Sequence, residues 1–253
     1  MKKLWFILIL ALLTVHCCGC EKQEETFVTV STPIEQEEPT KWDEIVQRNE
    51  LKIGVPNTLD TFDNQLIDAF SKELEIEVTK VQISDNETAI LAIQDGDVDM
   101  LWGQIPATAD TSAAFRLSTP YFNSTILYIS KDPELILDHS TVVGALKDSA
   151  EEITVQNYYD TLKTYTNKND LFYALNSGAC DVILYNKALY ENLPQKAENL
   201  HIVKEEPYEL VIAFEHNNVA VCTEVEKILA KIKADGTASE ICLKWYPTDL
   251  ITK

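Results

Sequence analysis

The chain has 253 residues and a formal net charge of −20 at pH 7, and 45% of its residues are hydrophobic. This length and composition are enough for one large domain or for two small lobes with a packed core. The acidic balance excludes nucleic-acid phosphates and anionic lipid headgroups as partners, because like charges repel. Either a need for solubility or a cationic ligand would account for the acidity.

The N-terminal residues predict export from the cytoplasm. Lys2 and Lys3 precede an apolar run over residues 4–15. A basic start followed by a short apolar stretch is typical of a signal peptide, and the run is shorter than the roughly 20 residues that a spanning helix needs. We therefore predict a signal peptide over residues 1–19.

The cysteines that follow resemble a bacterial lipoprotein signal. We predict that Cys20 carries the lipid, because Gly19 precedes it and signal processing favours a small residue there. Cys18 is the alternative lipid site, and ordinary secretion with cleavage nearby is another reading. Residues 20–40 are acidic and show no sustained period, which predicts a flexible tether.

The first part of the predicted domain alternates strands with helices. Residues 51–55 (LKIGV) and 76–83 (IEVTKVQI) have the pattern of strands. Between and after them, residues 62–74 and 88–93 have the pattern of helices. Alternation of this kind favours a mostly parallel sheet with helices on its faces.

An internal repeat follows. Residues 92–102 (AIQDGDVDMLW) and 174–184 (ALNSGACDVIL) align without gaps. In each copy a helix ends at a glycine suited to the left-handed conformation, and an aspartate opens a strand through turn chemistry. These residues are Gly96, Asp99, Gly178 and Asp181. Two copies predict two similar lobes and not a solenoid.

The carboxyl ends of the two repeated strands indicate where a ligand would bind. Ligands of open α/β sheets lie beyond these ends. Gln104 follows the first strand and Asn186 follows the second, so both would face one cleft if the lobes face each other. If the alignment slips by one residue, both would be ordinary surface residues.

The C-terminal part returns to the first pattern. Residues 209–214 (ELVIAF) predict a strand. A helix follows with an apolar stripe at i, i+3, i+4 and i+7, which is typical of core packing. The stripe consists of Val225, Ile228, Leu229 and Ile232.

The remaining cysteines are predicted to be buried free thiols. Cys222 and Cys242 fall in the last two predicted helices, at levels that differ by about 9 Å at roughly 1.5 Å of rise per residue. That separation is too large for a disulfide. Scattered histidines and the absence of a P-loop, nucleophile or zinc motif predict no catalytic residue, no cofactor and no metal site.

Several motifs in order identify a family. The chain resembles the bacterial extracellular solute-binding proteins of the amino-acid type, which are receptors of ABC importers. The resemblance spans about residues 42–248. It rests on LKIGV, FDNQLIDAFSKEL, DGDVDMLWGQIPATADT, LSTPYF, VVGALKDS, ALNSGACDVIL and KADGTASEICLKWYP.

The resemblance implies an α/β protein with the two-lobed type II periplasmic-binding-protein fold. Each lobe would be a mostly parallel sheet with helices on both faces, and two crossing strands would form the hinge. Lobe 1 would comprise residues 41–129 and 206–253, with lobe 2 over residues 130–205. As a lipid-anchored monomer on the outer face of the cytoplasmic membrane, the protein would close over a small polar solute and dock on an ABC permease.

The implied binding site departs from the amino-acid pattern. Where the family has an Arg that grips the ligand carboxylate, this chain has Thr111, and Asn186 replaces the Asp that pairs the ligand ammonium. Gln104 replaces a glycine, Pro106 replaces a Ser or Thr, and a Gly-Thr pair becomes Asp148-Ser149. The expected ligand-binding residues are Trp102, Gln104, Thr108, Thr111, Ser149 and Asn186.

These changes predict that the ligand is not a standard free α-amino acid. It would be a neutral polar solute, or one whose planar or cationic part rests on Trp102. Trp102 could equally be a core residue, Thr108 could cap a helix, and Thr111 could be a solvated turn residue. A sensing lipoprotein and a dehydratase-like enzyme on the same fold are the alternative functions.

Overall fold

The computed structural model describes residues 38–56, 61–84, 86–194 and 199–253. The predicted signal peptide, Cys18, Cys20 and most of the predicted tether lie outside the described residues. The described residues form nine helices and ten strands. The helices are α1 (Lys41–Arg48), α2 (Thr61–Ser71), α3 (Asn86–Gln94), α4 (Ala109–Ala114), α5 (Ala150–Val155), α6 (Lys168–Ser177), α7 (Lys187–Glu191), α8 (Val219–Ala234) and α9 (Thr237–Trp245). The strands are β1 (Glu50–Pro56), β2 (Glu77–Ile83), β3 (Met100–Leu101), β4 (Arg116–Leu117), β5 (Phe122–Ser130), β6 (Val142–Leu146), β7 (Thr161–Tyr165), β8 (Val182–Asn186), β9 (His201–Leu210) and β10 (Ala213–Phe214).

The strands form two sheets of five, in the orders β2-β1-β3-β10-β4 and β7-β6-β8-β5-β9. In the first sheet β1 pairs parallel with β2 and β3, and β10 runs antiparallel to both of its neighbours. In the second sheet β6 pairs parallel with β7 and β8, and β5 is the antiparallel strand. Four of the five strands in each sheet therefore point the same way. The expected two mostly parallel sheets are confirmed, and below we call the parts built on them lobe 1 and lobe 2.

Two chain crossings join the lobes. β5 and β9 lie side by side in the second sheet, paired from Phe122↔Leu210 to Ser130↔His201. At the lobe 1 end of this pair, the amide of Tyr121 donates to the carbonyl of Leu210 at 3.0 Å. The chain enters lobe 2 along β5 and leaves it along β9, which is the expected two-strand hinge.

One predicted strand is divided by this crossing. Residues 209–214 were expected to form a single strand, but β9 ends at Leu210 and β10 begins at Ala213. Between them, Val211 donates its amide to the Ile105 carbonyl at 3.0 Å, and Ile212 donates to the Ser118 hydroxyl at 2.9 Å. The chain changes sheets at this point, so the strand cannot continue in one ladder.

The internal repeat has the same geometry in both lobes. Gly96 and Gly178 both have φ of +76°, the left-handed conformation expected after a helix. The Asp99 carboxylate accepts the amide of Lys52 in β1 at 2.8 Å, and the Asp181 carboxylate accepts the amide of Val142 in β6 at 2.8 Å. The two aspartates therefore have a structural role, as predicted, but they bond to the neighbouring strand and not within the expected turn.

Helix packing and thiol chemistry also follow the sequence pattern. In α8, Val225, Leu229 and Ile232 are buried in the core, and Ile228 packs against it. The three cysteines among the described residues, Cys180, Cys222 and Cys242, are buried and free, as predicted. Burial raises the pKa of the Cys242 thiol to about 11, so this thiol stays protonated at neutral pH.

Candidate functional site

The candidate site is a cavity of about 950 Å³ whose lining comes from both lobes. Lobe 1 contributes the carboxyl ends of β1 and β3, the loop after β3, and α4. Lobe 2 contributes the turn before α5, the helix itself and the residues that follow it. The Asn157 side-chain amide of lobe 2 donates to the Asp110 carboxylate of lobe 1 at 3.3 Å, so one hydrogen bond crosses the cleft.

A second cavity, of about 620 Å³, lies beside the hinge strands and is lined by Ser124, Lys187, Tyr208 and Thr248 among others. We assign the ligand site to the larger cavity because it lies at the carboxyl ends of parallel strands, where ligands of open α/β sheets bind.

The predicted site residues that line the cleft in lobe 1 are Trp102, Thr108 and Thr111. Thr108 is the N-cap of α4, where its hydroxyl accepts the Thr111 amide at 3.1 Å. The two hydroxyls also contact each other at 2.8 Å. Thr108 therefore combines the helix-capping role with a position on the cleft wall. The surrounding lobe 1 wall is mostly apolar, with Ile83, Ile90, Leu101, Ile105, Pro106 and Phe115.

The lobe 2 wall is formed around the start of α5. Ser149 caps this helix by accepting the Glu152 amide at 3.2 Å. Asp148, with φ of +58°, donates its amide to the Glu152 carboxylate. Burial raises the pKa of Glu152 above its ordinary value, and the negative charge of Asp148 raises it further. The hydrogen bond from the Asp148 amide and the positive charge of Lys147 lower the same pKa, but by less. The cleft is lined here by Lys147, Asp148 and Glu152. Ser149 is not in the lining and acts as the cap of α5.

Trp102 lines the cleft, but its side chain belongs to the core. Its side chain is fully buried and packs edge-on against Phe70, with ring centroids 5.2 Å apart, and against Tyr121 at 5.7 Å. Trp102 therefore has the core role and also forms part of the cleft wall, and its stacking on a ligand stays a prediction. It directly follows β3 and packs between Phe70 of α2 and Tyr121 at the start of the hinge.

Gln104 also turns away from the cleft. Its φ of +54° is left-handed and reverses the chain at the end of β3. Its side-chain amide then donates to the Asp63 carboxylate at 2.9 Å, and its backbone amide donates to the same oxygen at 3.1 Å. Asp63 is fully buried and also accepts the Tyr121 hydroxyl at 2.8 Å. Gln104 thus anchors the cleft loop to α2 instead of facing a ligand.

Asn186 lies against the hinge and not in the cleft. It is 5% exposed, and its amide donates to the Ser124 hydroxyl at 3.1 Å and to the Tyr208 hydroxyl at 2.8 Å. Its side-chain oxygen caps α7 by accepting the Leu189 amide at 3.2 Å. Gln104 and Asn186, which were expected to share the cleft, are therefore not brought together.

Many of the residues that line the cavity were not identified from the sequence, and they include Asp110, Phe115, Glu152 and Tyr158. The spacing of Ser149 and Glu152 is the capping-box signature of a helix start, so this spacing could have indicated Glu152. The other three lie on turns or on a short helix, where hydrophobic periodicity gives no signal.

Among the described lining residues, the charged groups are three acids and one base: Asp110, Asp148, Glu152 and Lys147. The chain has two arginines, and neither lines the cleft. Arg116 donates to the His216 carbonyl at 2.8 Å, and Arg48 pairs with the buried Asp99. The cleft can thus offer carboxylates, hydroxyls and apolar surface to a ligand, but no guanidinium.

Within the described ranges, no helix is long and apolar enough to cross a membrane, and no group of three or more His, Cys, Asp or Glu side chains could hold a metal ion.

The chain is similar to known binding proteins over most of its length. It is 24% identical over 212 residues to the ABC transporter glutamine-binding protein GlnH of Bacillus subtilis, covering 79% of this chain and 77% of that protein. It is 22% identical over 203 residues to the amino-acid-binding protein AabA of Dichelobacter nodosus, covering 74% and 79%.

Solved structures share the fold. An ABC uptake transporter substrate-binding protein from Streptococcus pneumoniae, solved with bound histidine, superposes with a TM-score of 0.63 at 18% identity. The match covers 84% of this chain and 98% of that one. The sequence profile of one family matches residues 55–248. The chain belongs to the bacterial extracellular solute-binding proteins, family 3.

Proposed function

We propose that the protein is the solute receptor of an ABC importer, holding a small solute between its lobes and presenting it to a membrane permease. The observation that carries the proposal is the cleft of about 950 Å³ that takes its walls from both lobes, which are joined by two hinge strands. A ligand that contacts both walls binds the closed form more tightly and so favours closure. The curated relatives named as ABC transporter binding proteins support this function.

The alternative functions have less support. A dehydratase-like enzyme would need a cationic side chain to bind its acidic substrate. The two arginines do not supply one, because both have other partners away from the cleft. A sensing lipoprotein would use the same cleft and hinge but signal to another membrane protein. The membrane partner of a sensing lipoprotein would be a sensor kinase, whereas the partner of an importer receptor is a permease.

The proposed ligand is a small solute other than a standard free α-amino acid. An α-amino acid carries a carboxylate and an ammonium that closure would bury, and buried charges need partners. Thr111 cannot supply the bidentate partner that an Arg gives to a carboxylate. A hydrogen bond to a charged group contributes about 1.5–3 kcal/mol. Losing two such bonds weakens binding by roughly 3–6 kcal/mol, or about 10² to 10⁴-fold.

Titration calorimetry against the twenty standard amino acids tests the ligand proposal. We expect no dissociation constant at or below the micromolar range, because the described cleft lining offers no guanidinium to the ligand carboxylate. Arg116→Ala serves as a control, since its guanidinium bonds to the His216 carbonyl outside the cleft. Micromolar binding of any amino acid, unchanged in Arg116→Ala, would show that the cleft binds the carboxylate by another route.

We also propose that Cys20 carries a lipid that holds the receptor on the outer face of the cytoplasmic membrane. Cys20→Ala should release the protein from membranes and abolish fatty-acid labelling, because the acylated residue is lost. Fractionation of cells grown with a labelled fatty acid measures both effects. If the Cys18→Ala variant is released from membranes and the Cys20→Ala variant is retained, the lipid is attached at Cys18.

A further inference from the structure

We infer that the cleft selects an organic cation that carries no carboxylate, and that Glu152 is the residue that sets this preference. The inference rests on the proposed receptor function and names the chemical class of its ligand. It comes from three properties of the cleft: occupied backbone donors, an acidic lining and an apolar wall with an aromatic rim.

Four backbone donors around the start of α5 are already occupied. The Asp148 amide donates to the Glu152 carboxylate, and the Ser149 amide donates to the Leu146 carbonyl at 3.3 Å. The Glu152 amide donates to the Ser149 hydroxyl, and the Ile153 amide donates to the Ser149 carbonyl at 3.1 Å. The protein thus places its own carboxylate, that of Glu152, at the Asp148 amide in the cleft wall. A ligand carboxylate would have to displace Glu152 or lie beside its charge.

The lining favours positive charge. The charged residues of the described lining are Asp110, Asp148, Glu152 and Lys147, so acids outnumber bases three to one. Lys147 can neutralise one of the three carboxylates, which leaves an excess of negative charge in a partly buried space. Partial burial strengthens charge interactions relative to water. A ligand cation would therefore be attracted and a ligand anion repelled.

The remaining wall suits the apolar body of such a cation. Ile105, Phe115 and Ile153 line the cavity, and Tyr158 lies at its rim with 52% exposure. The Tyr158 ring is held by His139, with centroids 4.7 Å apart, and by Tyr159 at 4.8 Å. A fixed, exposed aromatic face next to carboxylates can contact an ammonium or guanidinium group through its ring. The ligand class is therefore an amine or guanidine on a short apolar chain or ring.

Matched pairs of probes separate the cationic group from the carboxylate. Each pair is an amino acid and its decarboxylated amine: arginine and agmatine, lysine and cadaverine, histidine and histamine, tyrosine and tyramine. We expect the amine of at least one pair to bind at least about ten-fold more tightly than its parent, since it lacks the group that Glu152 repels. Titration calorimetry measures the affinities, and small-angle scattering with each probe reports closure of the lobes.

Glu152→Gln tests the assigned residue. Glutamine keeps the size of the side chain and an oxygen that can accept the Asp148 amide, but it removes the charge. We expect amine affinity to fall by about ten-fold or more and the gap between each amine and its parent to narrow. Glu191→Gln is the matched control, because Glu191 lines the smaller cavity beside the hinge. A thermal unfolding midpoint near that of the wild type shows that either variant is folded.

The outcomes separate the ligand class from the receptor function. Tighter binding of the amino acid in every pair, or no binding of any amine, overturns the inferred ligand class. Equal loss of amine affinity in Glu152→Gln and Glu191→Gln overturns the role of Glu152. Binding of an amine without any compaction in scattering supports the ligand class and contradicts the receptor function, whose closure would then be missing.

Discussion

Replacing Trp102 with alanine should lower the free energy of unfolding by about 3–5 kcal/mol, the range for removing a large aromatic side chain from a core. The side chain has no exposed surface and contacts the rings of Phe70 and Tyr121. Alanine would leave a cavity between α2 and the start of the hinge, because the surrounding rings can relax only in part. Ligand affinity should be affected mainly through the loss of folded protein.

The comparison is with Trp245→Ala, the same substitution on α9, where the side chain is 40% exposed. Substitutions at exposed sites away from special features usually change stability by about 0.5 kcal/mol or less. Denaturant unfolding of both variants gives the two values, and for a domain of this size 3–5 kcal/mol lowers Tm by roughly 6–20 °C. A small stability loss in Trp102→Ala together with lost ligand binding would show that Trp102 acts mainly as a ligand contact.

Asp63→Ala should lower the free energy of unfolding by about 2–4 kcal/mol and should loosen the cleft loop. The Asp63 carboxylate is fully buried and accepts hydrogen bonds from Tyr121 and from both amides of Gln104. Its removal leaves those buried donors without this acceptor, and each such loss costs about 1–3 kcal/mol. The gain from no longer burying a carboxylate offsets part of that sum. Burial and the Asp63 charge raise the pKa of Tyr121, so its hydroxyl stays protonated and donating.

Asp68→Ala on the same helix is the matched control. Its carboxylate is 54% exposed and pairs with Lys80 at 2.6 Å, and exposed ion pairs contribute about 0–1 kcal/mol. Chemical denaturation compares the two variants, and hydrogen exchange of the Gly103–Ile105 amides reports the loop. Equal stability losses in both variants would contradict the anchoring role of Asp63.

The fold was predictable because its signals are local and repeated. The stripe of Val225, Leu229 and Ile232 gave the core face of α8. The left-handed positions of Gly96 and Gly178 showed two helix ends in equivalent places. Each signal depends on residues that lie close together in the sequence. The order of the elements then predicted two lobes. The break between Leu210 and Ala213 was missed because a sheet change inside an apolar run leaves no mark in the sequence.

The site was less predictable because side-chain direction depends on distant partners. Gln104 and Asn186 were correctly placed at strand ends, but a left-handed turn and the buried carboxylate of Asp63 draw Gln104 inward. Asn186 is held in the same way by hydroxyls on the hinge strands, at Ser124 and Tyr208. These partners lie tens of residues away along the chain. Local sequence signals exist for the cap residue Thr108, which was predicted, and for Glu152, whose capping spacing was not used.

The strand order also bears on which part of the chain folds first. The second sheet uses one continuous stretch, from Phe122 to Leu210, whereas the first sheet needs β10 to enter between β3 and β4. Once β5 and β9 pair, Phe122 and Leu210 are register partners, so the two ends of the intervening chain are already adjacent. This removes most of the loop-closure entropy that β10 would otherwise have to overcome. We expect lobe 2 to fold first and to hold the two segments of lobe 1 next to each other, so that lobe 1 can then complete its sheet.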